Sequence, residues 1–361
     1  MLNRVLALCR AGFEAEAARD LAELGARTGV RLTTLTEPGF AIASIGAGDP
    51  PSLGRWSTAL AAADPVFTRT VVFGTGPHRI APADARARPD RITPLVAAVE
   101  ALRPDAPFVS MWLEYPDTNE GKALSSLTRS LEARLGAALQ ERRLLDLSAP
   151  HRPRLHVMLR DGATAWVGAS TQDTGSPWPM GIPRLRMPGG APSRSTQKLA
   201  EAFVTFLGDD EPALVRAGMR AVDLGAAPGG WSWQLARRGV RVTAVDNGPL
   251  KGEVAQDPLV THVREDGLRY RPRKPVDWVV CDIVESPARI ATLIGRWIAE
   301  GAGKRAIFNL KLPMKKRWDE VQRCRDIIAT ELARTRTDGV LRMRQLYHDR
   351  EEVTAYLARS A

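Results

Sequence analysis

The sequence predicts an α/β protein in two parts. A small α+β region covers 1–175, a connector covers 176–195, and a doubly wound, mostly parallel sheet with an antiparallel terminal hairpin covers 196–361. Three observations lead there. After residue 220, short apolar runs alternate with helical runs, the pattern of a parallel sheet with crossover helices. A glycine-rich turn, LGAAPGG (224–230), joins the first of those runs to a helix. The connector SPWPMGIPRLRMPGGAPSRS holds five prolines and three glycines, so it is neither a continuous helix nor a central strand.

Taken in order, 4–8 reads as a short apolar strand and 13–24 as an alanine-rich helix. Segments 39–45 and 70–73 read as strands, and 59–63 is short and helical. Segment 107–115 is a strand. A helix follows over 124–139 with Leu124, Leu127, Leu131 and Leu135 on one face. Segments 154–159 and 163–168 form a hairpin around Asp161-Gly162. In the second half the strands are 221–224, 241–246, 261–264, 278–283, 306–310, 341–346 and 353–357, and the helices are 231–238, 288–299 and 318–332. Only 348–352 separates the last two strands, which suits an antiparallel pair.

Composition narrows the function. Of 361 residues, 44% are hydrophobic and 25% charged, which suits two buried cores and excludes a disordered chain. The net charge is +10. Residues 1–190 hold 22 basic and 19 acidic side chains, and residues 191–361 hold 29 and 22, so the excess lies mainly in the second half. That sign favours a polyanionic partner such as nucleic acid. Arg184, Arg186, Arg194 and Lys198 in and after the connector, Lys315, Lys316 and Arg317, and Arg152, Arg154 and Arg160 in the first half are candidate phosphate contacts. Cys9, Cys281 and Cys324 are far apart, which argues against a disulfide framework or a cysteine-rich metal site. The first ten residues are too short in apolar length for a signal-peptide core, and no run reaches a membrane span. The expectation is a soluble, cytoplasmic monomer with no metal and no membrane partner.

The glycine-rich turn is a nucleotide-site element without the GxGxxG or Walker spacing that cradles phosphates, so it suits a nucleoside. Asp246 closes the second strand, where a carboxylate can accept from ribose hydroxyls. Asp266, in REDG, closes the third, where it can meet an adenine amino group. Cys281, in VVCDI, reads as packing. His348 reads as a structural histidine, and Trp231 and Trp233 read as core. Trp178 in the connector is a candidate base-stacking side chain.

These motifs resemble the S-adenosylmethionine-dependent, FtsJ-like 2′-O-ribose RNA methyltransferases. The carrying stretches are PSRSTQKL (192–199), DLGAAPGGW (223–231), VVCDI (279–283), NLKLP (309–313) and EEVT (351–354). With YPDTNEGKAL (115–124), MGIPRLRMPGGAPSRST (180–196) and RQLYHDREEVT (344–354), the whole chain is similar to the bacterial 23S ribosomal RNA cytidine 2′-O-methyltransferases that carry an N-terminal THUMP domain. The resemblance implies a Rossmann-like methyltransferase domain behind a THUMP-containing RNA-binding region that has a ferredoxin-like segment. It implies S-adenosylmethionine as cofactor and 23S ribosomal RNA, unassembled or partly assembled, as partner. It carries a Lys-Asp-Lys-Glu tetrad over as Lys198, Asp282, Lys311 and Glu352, with Glu351 one residue away from the last. The donor-binding set is Ser195, Gly225, Ala227, Pro228, Gly229, Gly230, Trp231, Asp246, Asp266 and Asp282.

A ribose hydroxyl must lose its proton near the transition state, and a free lysine, with a pKa of about 10.4, is too basic to serve at neutral pH. The expectation is that Lys198 and Lys311 meet at the ends of different strands. One is held charged by the carboxylates, and the second cation depresses Lys311. Competing readings are a nicotinamide oxidoreductase, a noncatalytic RNA-binding assembly factor, and a 2′-O-methyltransferase of another RNA.

Overall fold

The apolar runs become strands of two separate sheets. The structure, a computed structural model, describes residues 2–46, 52–82, 89–104, 106–148, 153–171 and 175–360. The chain divides into two compact units, Met1–Pro183 and Arg184–Ala361, and each contains a seven-stranded sheet.

In the first unit β1 (Arg4–Cys9), α1 (Glu14–Thr28), β2 (Leu32–Glu37), β3 (Phe40–Ile45), α2 (Leu53–Ala63) and β4 (Thr68–Arg79) follow one another. Their antiparallel order β2-β3-β1-β4 is that of a ferredoxin-like βαββαβ unit. Then come α3 (Ile92–Glu100), β5 (Ser110–Glu114), α4 (Asn119–Ala123), α5 (Ser125–Glu141), β6 (Arg154–Leu159) and β7 (Thr164–Ser170). β7 pairs with β4 and β6 with β7, both antiparallel, while β5 lies parallel to β6. Leu95 and Val99 of α3, Leu131, Leu135 and Leu139 of α5, and Leu155 and Val157 of β6 share one core. β2 is absent from the sequence reading. It is an edge strand, LTTLTE, with four of six residues exposed, and so it carries no apolar alternation.

A buried polar cluster holds the end of this unit. Glu114 closes β5, and His156 of β6 lies opposite Trp112. His156 Nδ1 is 2.6 Å from Glu114 Oε2, and its Nε2 is 2.8 Å from Ser170 Oγ. The other oxygen of Glu114 accepts the backbone N–H of Met180. This has the order of a Ser-His-acid triad, but Ser170 is 2% exposed and the other two are sealed, so no substrate reaches it. Its work is to fasten Met180, and with it the buried Ile182, into the unit. The beginning of the connector is therefore packed structure, not a solvated strap.

The second unit opens with α6 (Ser195–Phe206) and α7 (Glu211–Leu214). It continues through β8 (Arg220–Leu224), α8 (Gly230–Ala236), β9 (Arg241–Val245), β10 (Val260–Val263), β11 (Val276–Cys281), α9 (Pro287–Ala299), β12 (Gly303–Lys311), α10 (Arg317–Arg334), β13 (Gly339–Arg344) and β14 (Glu352–Arg359). The strand order is β10-β9-β8-β11-β12-β14-β13. The first five are parallel, and β14 inserts antiparallel between β12 and β13. The order reverses between β8 and β11, so their following loops part and leave a crevice at the carboxyl ends, where ligands of such sheets bind. α6 is absent from the sequence reading, although Leu199, Ala202, Phe203 and Phe206 are helically spaced and buried in the same core as Trp231 and Trp278.

Among the described residues no helix is long and apolar enough to cross a membrane. Glu114→Ala, which strands two buried donors, is expected to lower the unfolding free energy by about 2–4 kcal/mol, and Glu114→Gln by less. Denaturant unfolding of the purified chain checks both.

Candidate active site

The pairing of β12 with β14 sets the site. Lys311, the last residue of β12, stands opposite Glu352, the first of β14. Two residues back on the same face, Asn309 stands opposite Thr354. Cys281 pairs with Phe308, so Asp282, one residue beyond β11, follows in line with Asn309. Lys198 comes from the first turns of α6, not from a strand end as the sequence reading had it. α6 is held there by the Trp231 indole N–H donating to Ser195 O (3.0 Å) and by Gln234 Nε2 donating to Thr196 O (3.1 Å).

The four expected side chains meet. Lys311 Nζ donates to Asp282 Oδ1 at 2.5 Å and to Glu352 Oε2. Lys198 Nζ donates to the other oxygen of Glu352 and lies 3.7 Å from Asp282 Oδ2. Glu352 is the bridging carboxylate. Glu351 points elsewhere, half exposed and paired with Arg317 at 2.7 Å. Burial pulls the Lys311 pKa down, but Asp282 and Glu352 outweigh it and hold the ammonium above the ordinary lysine range. That reverses the expectation of a depressed Lys311, because both carboxylates bond Lys311 itself and cancel the repulsion of Lys198. Burial raises the Glu352 pKa, and the two lysines more than reverse that, leaving it below the usual carboxylate value.

The donor-site candidates gather at the ends of the neighbouring strands. Gly225 (φ +78°) and Gly229 (φ +113°) turn the chain through the left-handed region after β8. Gly230 admits close approach: a Cβ there would lie 2.5 Å from Ser195 Oγ and 2.7 Å from Ser193 Oγ. Asp246, just after β9, accepts the Ala227 N–H at 3.0 Å and the Gly248 N–H at 2.7 Å, which fixes its carboxylate beside the Ala227-Pro228 turn. Asp266 lies three residues beyond β10, not at its last residue. It is exposed and accepts the Leu268 N–H at 2.9 Å. Trp231 is buried, so its link to the site runs through Ser195 O. Asp223, wholly buried in β8, accepts from Ser232 Oγ at 2.7 Å, and burial raises its pKa to about 7. Four adjacent strands thus carry Asp223, Asp246, Asp266 and Asp282 at or near their carboxyl ends. The three that are open, Asp246, Asp266 and Asp282, fit a cationic nucleoside and do not fit a pyrophosphate, while Asp223 is sealed beneath them.

The other sequence candidates divide. Burial pushes the Cys281 thiol up to about 12, which removes it as a nucleophile. His348 Nδ1 lies 2.6 Å from Glu201 of α6, whose carboxylate also accepts the Tyr347 and His348 N–H groups, so this histidine is structural. Arg154 stacks 3.6 Å from the Trp112 centroid and donates to Ser176 O, and Arg160 pairs with Glu37, so both have partners inside the first unit. Arg152 lies outside the described residues. Arg186, Arg194, Lys315 and Lys316 are exposed, and so are Val284 and Met314 in the loops just beyond Asp282 and Lys311. The sequence reading missed Asn309, Thr354, Asp349 and Glu201. Period-two spacing from Lys311 and Glu352 would have found the first two. Among the described residues no three His, Cys, Asp or Glu side chains are grouped to hold a metal.

Fold and site together define a methyltransferase. Residues 191–353 match the FtsJ-like methyltransferase family, and residues 90–171 match the family described as ribosomal RNA large subunit methyltransferase M, N-terminal. The chain is 48% identical to ribosomal RNA large subunit methyltransferase M of Azoarcus sp. (strain BH72) over 99% of its length and 96% of the relative's. It is 46% identical to the protein of that name from Methylococcus capsulatus over 98% of both. The chain belongs to the ribosomal RNA large subunit methyltransferase M family. FtsJ-like methyltransferases use S-adenosylmethionine, and that is the methyl donor here.

The raised Asp223 pKa has a signed consequence. An acid whose folded value, about 7, exceeds its unfolded value of about 3.9 favours folding at low pH and loses that contribution as pH rises between the two. The stability of the wild type relative to Asp223→Asn is expected to fall from pH 4 to pH 7 in denaturant titrations. A gap independent of pH would contradict the assignment.

Proposed function

We propose that this protein methylates a ribose 2′-hydroxyl of 23S ribosomal RNA, at a cytidine, with Lys311 as general base. The observation that carries the reading is the convergence of Lys198, Asp282, Lys311 and Glu352 at the open end of the sheet, beside a turn and carboxylates suited to a cationic nucleoside. The turn from Gly225 to Gly230 with Ser195, Asp246, Asp266 and Asp282 would hold S-adenosylmethionine. When bound, the donor supplies an activated methyl group and a positive charge.

In the free protein Lys311 is an ammonium. A further positive charge beside Asp282 competes for that carboxylate and favours release of the Lys311 proton to solvent. The free amine then takes the proton of the ribose hydroxyl as that oxygen becomes the nucleophile. Lys198, still paired with Glu352, holds the positive charge that the site retains. Exposed Lys315, Lys316, Arg186 and Arg194 are placed to meet backbone phosphate, and Val284 and Met314 offer apolar contact to a base lifted from its stack. The first unit, with its ferredoxin-like segment and a THUMP-type remainder, grips the folded RNA by shape.

Lys311→Ala is expected to lower turnover by about 10²-fold or more while S-adenosylmethionine still binds. Turnover of the wild type is expected to climb from pH 7 toward pH 9.5, because the base begins protonated. Transfer of labelled methyl to 23S RNA from cells lacking the protein measures both. Label at an alkali-sensitive position would overturn the ribose chemistry.

A further inference from the structure

A second row of polar groups lies behind the tetrad, and counting its protons constrains the charge of Asp349. Asn309, Thr354 and Asp349 are each 0% exposed. Asn309 Nδ2 donates to Asp282 Oδ1 at 2.9 Å. Thr354 Oγ1 lies 2.8 Å from Asn309 Oδ1 and 3.1 and 3.0 Å from Asp349 Oδ1 and Oδ2. Asp282, ion-paired to Lys311, only accepts, so the Asn309 amide nitrogen faces it and the Asn309 oxygen faces Thr354. That oxygen also only accepts, so the single hydroxyl proton of Thr354 is spent there. The Thr354–Asp349 contact then needs a proton from the Asp349 side. Asp349 Oδ2 already accepts the Leu346 N–H at 2.9 Å, which leaves Oδ1 to carry it.

Resting on the reaction read above, we propose that Asp349 is a neutral carboxylic acid, and that the directed chain Asp349 to Thr354 to Asn309 to Asp282 makes it a positioning residue for Lys311. The surroundings agree. Burial drives this acid well above the usual carboxylate value, the Glu352 and Glu201 carboxylates push the same way, and the Leu346 N–H and the Lys198 ammonium oppose them. An ionised Asp349 would instead draw the Thr354 proton, leave two acceptor oxygens facing each other at Asn309, and free the Asn309 amide to turn away from Asp282.

The test pairs a direct observable with turnover. In chains with isotope-labelled aspartate, the infrared difference between the wild type and Asp349→Asn at neutral pH is expected to contain the carbonyl band of a protonated buried carboxyl, which the partly protonated Asp223 leaves unchanged on both sides of the comparison. Thr354→Val is expected to lower turnover about tenfold or more with donor affinity unchanged, and Thr354→Ser to restore it. Asp349→Ala is expected to lose turnover, and Asp349→Asn, whose amide supplies the same donor and acceptor, to recover it. Absence of the band, or an Asp349→Asn chain that folds and stays as inactive as Asp349→Ala, overturns the proposal. A wild type that shows the band but methylates no RNA overturns the reaction assigned to the site while leaving Asp349 protonated.

Discussion

The antiparallel seating of β14 against β12 is the constraint on which the rest of the second unit depends. It alone puts Glu352 across from Lys311 and Thr354 across from Asn309. A slip of one residue would turn both pairs to the other face of the sheet and bring Glu351 toward the lysine. The hairpin is therefore more than a closing edge. Strand β11 contributes Asp282, and α6 swings Lys198 over the sheet end from outside it, but Glu352 is the group that bonds both ammonium ions. Removing it would leave two partly buried cations facing one carboxylate, a much worse balance than losing any single hydrogen bond.

The same arithmetic explains the resting charge of the site. Two lysines and two carboxylates are neutral together, and in that state Lys311 keeps its proton. On the proposed reaction, a general base built this way would be silent until something positive arrives. The neighbouring strand ends would attract such a group through Asp246, whose carboxylate accepts only backbone N–H groups, and Asp266, whose one cationic partner is the exposed Arg269 at 3.5 Å, while burial keeps Asp223 partly protonated near neutral pH. On that proposal, donor binding and activation of the base would draw on the same electrostatics.

Much of this was legible in the sequence, and the limits are physical. The glycine turn, the strand-end aspartates and the terminal hairpin follow from local pattern, since turn geometry and strand period are written in adjacent residues. The candidate tetrad was legible only through resemblance, because Lys198, Asp282, Lys311 and Glu352 are drawn from four elements and no spacing rule connects them. The direction of the Lys311 shift was misread for a related reason. The sequence shows which charges are present, but not that both carboxylates bond the same ammonium. β2 and the Glu114–His156–Ser170 cluster were missed because an exposed edge strand has no apolar signal, and because a buried polar group looks in sequence like a surface one.

The distribution of arginine and lysine separates roles that net charge runs together. In the first unit Arg154 and Arg160 are committed to Trp112 and Ser176 and to Glu37, so those residues of its basic count stabilise its own fold. In the second unit the exposed cations Arg186, Arg194, Lys315 and Lys316 fall in the segments that lead into α6 and out of β12. Those segments also deliver Lys198 and Lys311. Phosphate held there would be registered against the tetrad through the same short stretches of backbone, so on the proposed reaction binding an extended RNA strand and presenting one ribose to Lys311 would become a single geometric event. A basic patch elsewhere on the unit could raise affinity but could not set that register.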